Sequence, residues 1–180
     1  MHDRGRVSAR SGILRDDIVA IADTVARELP DIVAMERGRA FEGLIAPYAP
    51  ERHQRELADP AVCYQTIRLA DDSLAGFAIL RLDDDGESVE LRRIVVARPG
   101  QGTGRRALGL IERLCRERFG RRRIWLDVFA HNERARHVYS ACGYRYVGQS
   151  TYEGLPVELY EKAITETQSA QLDGGSGTGG

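Results

Sequence analysis

The chain has 180 residues, with 27 acidic against 26 Lys and Arg side chains and a net charge of −1 at pH 7. That length suits one ordinary domain able to bury a core without disulfides or metals, and the near-neutral balance excludes a protein that holds polyanions by its net charge. Three widely spaced cysteines, Cys63, Cys115 and Cys142, make no CxxC pair and no Cys/His cluster, so they read as free thiols of a reducing compartment and no metal is expected.

The opening residues, MHDRGRVSARSG, lack the apolar core of a signal peptide, and no apolar run approaches membrane-spanning length. A cytoplasmic protein with no membrane partner is expected. Residues 1–15 are polar and aperiodic and read as a flexible extension, 16–165 as the folded domain, and 166–180, ending DGGSGTGG, as a flexible Gly-rich tail.

Within the domain, IVAIA (18–22) reads as a strand. Asp23-Thr24 offers a cap for a helix that carries Leu29, Ile32, Val33 and Met35 on one side and ends near Gly38. Residues 40–60 hold three prolines and a short helical run, ERHQRELA; this segment reads as a lid or groove facing substrate, with Phe41, Leu44, Ile45 and Tyr48 divided between that role and packing. CYQTIRLA (63–70), LAGFAILRL (74–82) and VELRRIVVA (89–97) are three β-rich runs separated by turns at 71–73 and 83–88, which predicts consecutive antiparallel strands. Asp83, Asp84 and Asp85 fall in the second turn and are expected to be solvated.

After the third strand, Ala107, Leu108, Leu110, Ile111, Leu114, Cys115 and Phe119 recur at helical spacing up to Gly120. RRIWLDVF (122–129) is a further strand, HNERARHVYSACG (131–143) a helix closed by glycine, and YRYVGQ and PVELYEKAI two final strands. The order β-α-α-β-β-β-α-β-α-β-β predicts a mixed α/β fold.

Between strand and helix stands RPGQGTGRR, with glycines at 100, 102 and 104. A Walker A loop would place Lys-Ser/Thr where Arg105 and Arg106 stand. A dinucleotide fingerprint needs GxGxxG in a βαβ unit, and here the spacing is GxGxG after three antiparallel strands. What remains is a glycine-lined helix N-terminus whose free amides and positive dipole end face an anion, of which a pyrophosphate is the natural example.

RRIVVARPGQGTGRRAL, WLDV and NERARHVYSACGY, in that order and spacing, resemble the GNAT N-acetyltransferase superfamily over nearly the whole folded part. The resemblance implies a mixed, mostly antiparallel sheet of six to seven strands flanked by about four helices. It also implies an enzyme that transfers the acetyl group of acetyl-CoA, as cosubstrate, to a primary amine by direct attack on the thioester. The family's pyrophosphate signature falls on residues 99–104, with Pro99 where relatives carry Gln or Arg. By this resemblance Gln101, Gly102, Thr103, Gly104 and Arg105 hold the cofactor's phosphates, Arg106 can assist, and Ile94, Val95 and Val96 offer backbone groups to the pantetheine arm and the carbonyl, beside a strand that splays from WLDV.

Asn132, Ala135 and Tyr139 fall on one helical face and line the same cofactor; small Ala135 permits close approach, and Tyr139 matches the family's general acid. Glu90 and Asp127 are the candidate bases, Glu90 being favoured. The acceptor, a small-molecule amine or a peptide or protein amine, is chosen by residues 40–60 and the loop TYEGLP, and a homodimer is possible by family habit. Two other classes stand beside the enzyme: an inactive acetyl-CoA-binding sensor or scaffold, and a nucleic-acid binder suggested by eleven arginines against two acids between Arg92 and Arg123. The second ranks well below, because no aromatic stacking surface is interleaved with those arginines, and no nucleic-acid partner is expected.

Overall fold

A computed structural model describes residues 12–165. The strands are β1 (Leu14–Arg15), β2 (Val19–Asp23), β3 (Val62–Leu69), β4 (Leu74–Leu82), β5 (Ser88–Val96), β6 (Arg123–Phe129), β7 (Arg145–Tyr152) and β8 (Leu155–Ala163). The helices are α1 (Leu29–Glu36), α2 (Pro50–Leu57), α3 (Thr103–Glu117) and α4 (Glu133–Ala141). One eight-stranded sheet runs in the order β1-β2-β3-β4-β5-β6-β8-β7. All neighbours are antiparallel except β5 and β6.

The strand beyond the expected six to seven is β1, which falls inside the segment read as a loose extension. Asp16 turns the chain there by accepting the Ile18 and Val19 N–H groups through Oδ1, both at 2.7 Å, so Leu14 and Arg15 pair back onto Ile21 and Ala20. Residues 1–11 of that extension, and the Gly-rich tail 166–180, lie outside the described residues.

Two local expectations are corrected. Asp23 does not cap α1: it ends β2, and its Oδ1 accepts from Gln65 Nε2 at 2.6 Å and Arg118 at 2.7 Å. The helix is entered instead through a 3-10 turn, Ala26–Glu28, followed by a proline in its first turn, where a missing N–H costs nothing. Asp83, half-buried, is likewise employed within the fold, whereas Asp84 and Asp85 are exposed to solvent as expected. Asp83 accepts from the Trp125 indole at 2.7 Å, and Asp85 Oδ1 accepts the Glu87 and Ser88 amides at 2.8 and 2.7 Å, closing the β4–β5 turn.

Each face of the sheet carries its own core. On one, the apolar stripe of α3, with Ala107, Leu108, Ile111 and Leu114, packs on Ile21, Ile67, Leu80, Val89 and Leu91. On the other, Leu29 and Ile32 of α1 pack on Tyr64, Phe77, Ile79 and Val95. Each such side chain fully withdrawn from water contributes about 1.5–3 kcal/mol. The cysteines are free, and burial pushes the Cys63 thiol up to about 11, far from a reactive thiolate at neutral pH. Among the described residues no helix is long and apolar enough to cross a membrane.

Two irregularities of β5 shape its surroundings. It pairs with β6 over three positions, Ser88 to Arg123, Val89 to Ile124 and Glu90 to Trp125, after which the two strands diverge. Against β4, Leu91 sits opposite Leu80 and Arg93 opposite Ile79, so Arg92 is the extra residue of a β-bulge.

Candidate active site

The divergence of β5 and β6 opens a cleft made of two cavities, of about 470 and 250 Å3. They share Leu44, Ile45, Ile94, Asn132, Ala135 and Tyr139, so they are continuous. The larger runs along Val96 and Arg98 to the glycine loop and the start of α3. Gly102 precedes that helix at φ +79°, a left-handed conformation that costs any other residue about 1–2 kcal/mol. The first helical bond is Arg106 N–H to the Gly102 carbonyl at 3.2 Å, so the amides of Thr103, Gly104 and Arg105 are unspent and sit at the positive end of the helix.

On β5, the Ala97 N–H donates to Ala75 O across to β4 at 2.8 Å. Backbone groups alternate along a strand, so Val95 and Arg93 also point to β4, while the N–H and C=O groups of Ile94 and Val96 point into the gap. Of the residues expected to hold the cofactor, Ile94, Val96, Gly102, Thr103, Gly104, Arg105, Asn132 and Ala135 line the larger cavity. Val95 does not: its side chain is buried in the α1 core and its amide serves the sheet. Gln101 is exposed and stands outside the cavity wall, and Arg106 is drawn away to Asp16 at 3.0 Å. Asn132 has a structural duty as well, capping α4 by accepting the Ala135 amide at 3.2 Å.

Tyr139 lines both cavities at their junction, and its ring is fixed edge-on to Tyr144. Burial first, then the negative charge of Asp127, push its hydroxyl well above the ordinary tyrosine range, so it keeps its proton at neutral pH. Both candidate bases open onto the smaller cavity, in different circumstances. Glu90 Oε2 is ion-paired with Arg92 Nε at 2.9 Å. Asp127 has no ion-pair partner among the described residues. Its carboxylate touches solvent, yet the cleft walls crowd out much of the surrounding water, and this desolvation, with the charge of Glu90 added, holds its pKa above the usual aspartate value.

Beneath this cavity lies a buried polar network that sequence reasoning missed. Glu36, 1 % exposed, accepts the Tyr48 amide at 2.8 Å and faces both His53 Nε2, at 3.2 Å, and the Arg93 guanidinium. A carboxylate can only accept, so His53 is protonated on Nε2 and its Nδ1 accepts a hydrogen bond from the Tyr64 hydroxyl at 3.0 Å. Burial holds the His53 pKa down, keeping the ring neutral. Arg93 also donates to Ala46 O at 2.7 Å, and Tyr48 is sandwiched between Arg52 and Arg93 at 3.5 and 3.9 Å from its ring centre. One signal was present in the sequence: two adjacent arginines inside VELRRIVV require an acid for whichever is buried.

Residues 29–144 match the model of the Acetyltransferase (GNAT) family. The chain belongs to that family. The spermidine N-acetyltransferase of Vibrio cholerae, solved with CoA and spermine, superposes with a TM-score of 0.71 at 19 % identity, covering 81 % of this chain and 95 % of that one. A proposed phosphinothricin N-acetyltransferase superposes at 0.68 with 15 % identity, covering 82 % and 99 %. These likenesses establish the shared fold. A search of curated proteins found no significant match.

The residues present fit the family's cosubstrate. Unspent amides at the start of α3, a left-handed Gly102 and outward-facing backbone groups on Ile94 and Val96 form one continuous wall of the larger cavity.

Proposed function

We propose that this acetyltransferase carries the acetyl group of acetyl-CoA to a primary amine, with Tyr139 as general acid and Asp127 as base. One observation carries the reading: Tyr139 stands where an amide-lined, glycine-edged cavity meets a cavity lined by carboxylates. The cosubstrate, when bound, supplies a thioester carbonyl carbon and a thiolate leaving group. The α3 amides hold its pyrophosphate, while the Ile94 and Val96 backbone groups hold the arm and polarise the carbonyl.

Asp127 removes a proton from the ammonium form of the acceptor, directly or through water, so that the nitrogen lone pair can attack. As the carbon–sulfur bond breaks, the Tyr139 hydroxyl gives its proton to sulfur, and the proton that the acylated nitrogen then sheds restores the hydroxyl. Asp127 is preferred to Glu90 because no Arg or Lys ion-pairs with it among the described residues, and because desolvation and the charge of Glu90 raise its affinity for a proton above that of an ordinary aspartate. Thiol release from acetyl-CoA with a panel of amines, amino acids and peptides tests the reading. Turnover that disappears in Tyr139→Phe supports it; an acetyl-CoA-induced rise in Tm without turnover of any acceptor favours a sensor, and no rise in Tm overturns cofactor binding itself.

A further inference from the structure

We propose that the amine acetylated here also carries an acidic group, as a free amino acid does, and that Arg52 receives it; this rests on the acetyltransferase reading above. Three guanidinium groups, Arg52, Arg92 and Arg93, and two carboxylates, Glu90 and Asp127, line the smaller cavity. Most of them are committed. Arg93 is held by Glu36 and Ala46 O, and Glu90 by Arg92. Behind the wall a single oxygen of Glu56 faces both Arg52 Nε, at 2.9 Å, and Arg92, at 3.4 Å.

Two ends of this network stay open to a ligand. Asp127 lies beside Tyr139 without a cationic partner among the described residues, and it balances one ammonium group. Arg52 is the other end: its side chain is 37 % exposed, against 17 % for Arg92 and 7 % for Arg93. Its plane is fixed from below by the Tyr48 ring and through Nε by Glu56, and its terminal nitrogens, with the Tyr152 hydroxyl beside them, face the cavity as a preset fork. A planar, stacked guanidinium in that posture suits a bidentate carboxylate. A polyamine is disfavoured by the same walls, because its second and third charges would meet guanidinium groups. An amine with an acidic group places opposite charges at both open ends, within a volume of about 250 Å3 that suits a small molecule.

The test is thiol release from acetyl-CoA with the standard amino acids, each offered with its free carboxylate and as its carboxamide, alongside spermidine and short peptide amides. Expected is acetylation of one or more free acids with kcat/KM about tenfold or more above the matching carboxamide, the order of one charge-assisted contact. Arg52→Gln should shrink that ratio by raising KM for the acid, and Arg52→Lys should restore part of it; an unchanged acetyl-CoA-induced Tm shift certifies that both variants fold. Spermidine, carboxamides or peptide amides used as well as the acids would overturn the proposal, as would a ratio unmoved by Arg52→Gln. Acetyl-CoA binding with no acid acetylated overturns it too, whereas absence of both turnover and a Tm shift removes the underlying acetyltransferase reading.

Discussion

Replacing Glu36 by alanine is expected to be among the most damaging single changes to this fold. The carboxylate is 1 % exposed and serves three donors at once: the Tyr48 amide at 2.8 Å, His53 Nε2 at 3.2 Å and the Arg93 guanidinium. Its removal leaves Arg93, 8 % exposed, with the Ala46 carbonyl and the Tyr48 ring but without its ion-paired carboxylate. Stranding one partner of a buried ion pair costs about 3–5 kcal/mol, a large share of the roughly 5–15 kcal/mol available to a domain. For a chain of this size that corresponds to a fall in Tm of roughly 6–20 °C. Urea denaturation of wild type, Glu36→Ala, Arg93→Met and the double variant Glu36→Ala/Arg93→Met measures both the cost and the coupling. The double variant should be far less damaged than the two single losses combined, because removing both charges leaves none stranded. A loss below about 1 kcal/mol for Glu36→Ala, or additivity within about 0.5 kcal/mol across the cycle, would refute the reasoning.

Tyr139→Phe should lower kcat by about 10²–10⁴-fold, the range for losing a general acid, while keeping the ring packing on Tyr144 and hence the acetyl-CoA-induced Tm shift. With Asp127 as base, kcat/KM should rise with pH through a group titrating above the usual aspartate value, a limb that Asp127→Asn abolishes. The sign for stability is opposite to that of an ion-paired carboxylate. Its folded pKa is raised, so its ionisation costs stability above the unfolded value near 3.9. Asp127→Asn should therefore raise Tm slightly at pH 7, with the gain shrinking as pH falls through the raised folded pKa and gone once pH is below the unfolded value. Gly76→Ala should destabilise by about 1–3 kcal/mol, since a Cβ there would lie 2.2 Å from the Val95 carbonyl oxygen and push β4 from β5; urea midpoints measure it.

Much of this arrangement was legible in the sequence because it is local. Strand alternation, the stripe from Ala107 to Cys115 and the glycine spacing each report a backbone period or a conformation, and the structure places them as expected. Asn132, Ala135 and Tyr139 could be set on one face from helical spacing alone, and all three line both cavities. What escaped depends on partners far apart in the chain. Glu36, His53 and Arg93 meet across separations of 17 to 57 residues, and each alone looks like an ordinary surface charge. The duties of Asp23 and Asp83 were missed for the same reason: their partners, Arg118 and Trp125, are 95 and 42 residues away.

The bulge at Arg92 joins these two kinds of information. Up to Leu91, even and odd positions of β5 face opposite cores, with Val89 and Leu91 turned to α3. Continued without interruption, that alternation would turn Arg93 into the α3 core and Ile94 and Val96 toward α1. The extra residue reverses the phase. Glu90, Arg92 and Arg93 consequently share the α1–α2 side, where Glu36 and Glu56 meet the arginines, while Ile94 and Val96 come to line the cleft opened by the divergence from β6. One inserted residue thus separates a charged half of the strand, which faces the smaller cavity, from an apolar half that offers backbone groups to the larger one. Deleting Arg92 should consequently damage both cavities at once, with loss of the acetyl-CoA-induced Tm shift as well as turnover, whereas Arg92→Gln, which keeps the bulge, should spare the shift. Equal loss of the shift in both variants would assign the effect to the charge and not to the phase of the strand.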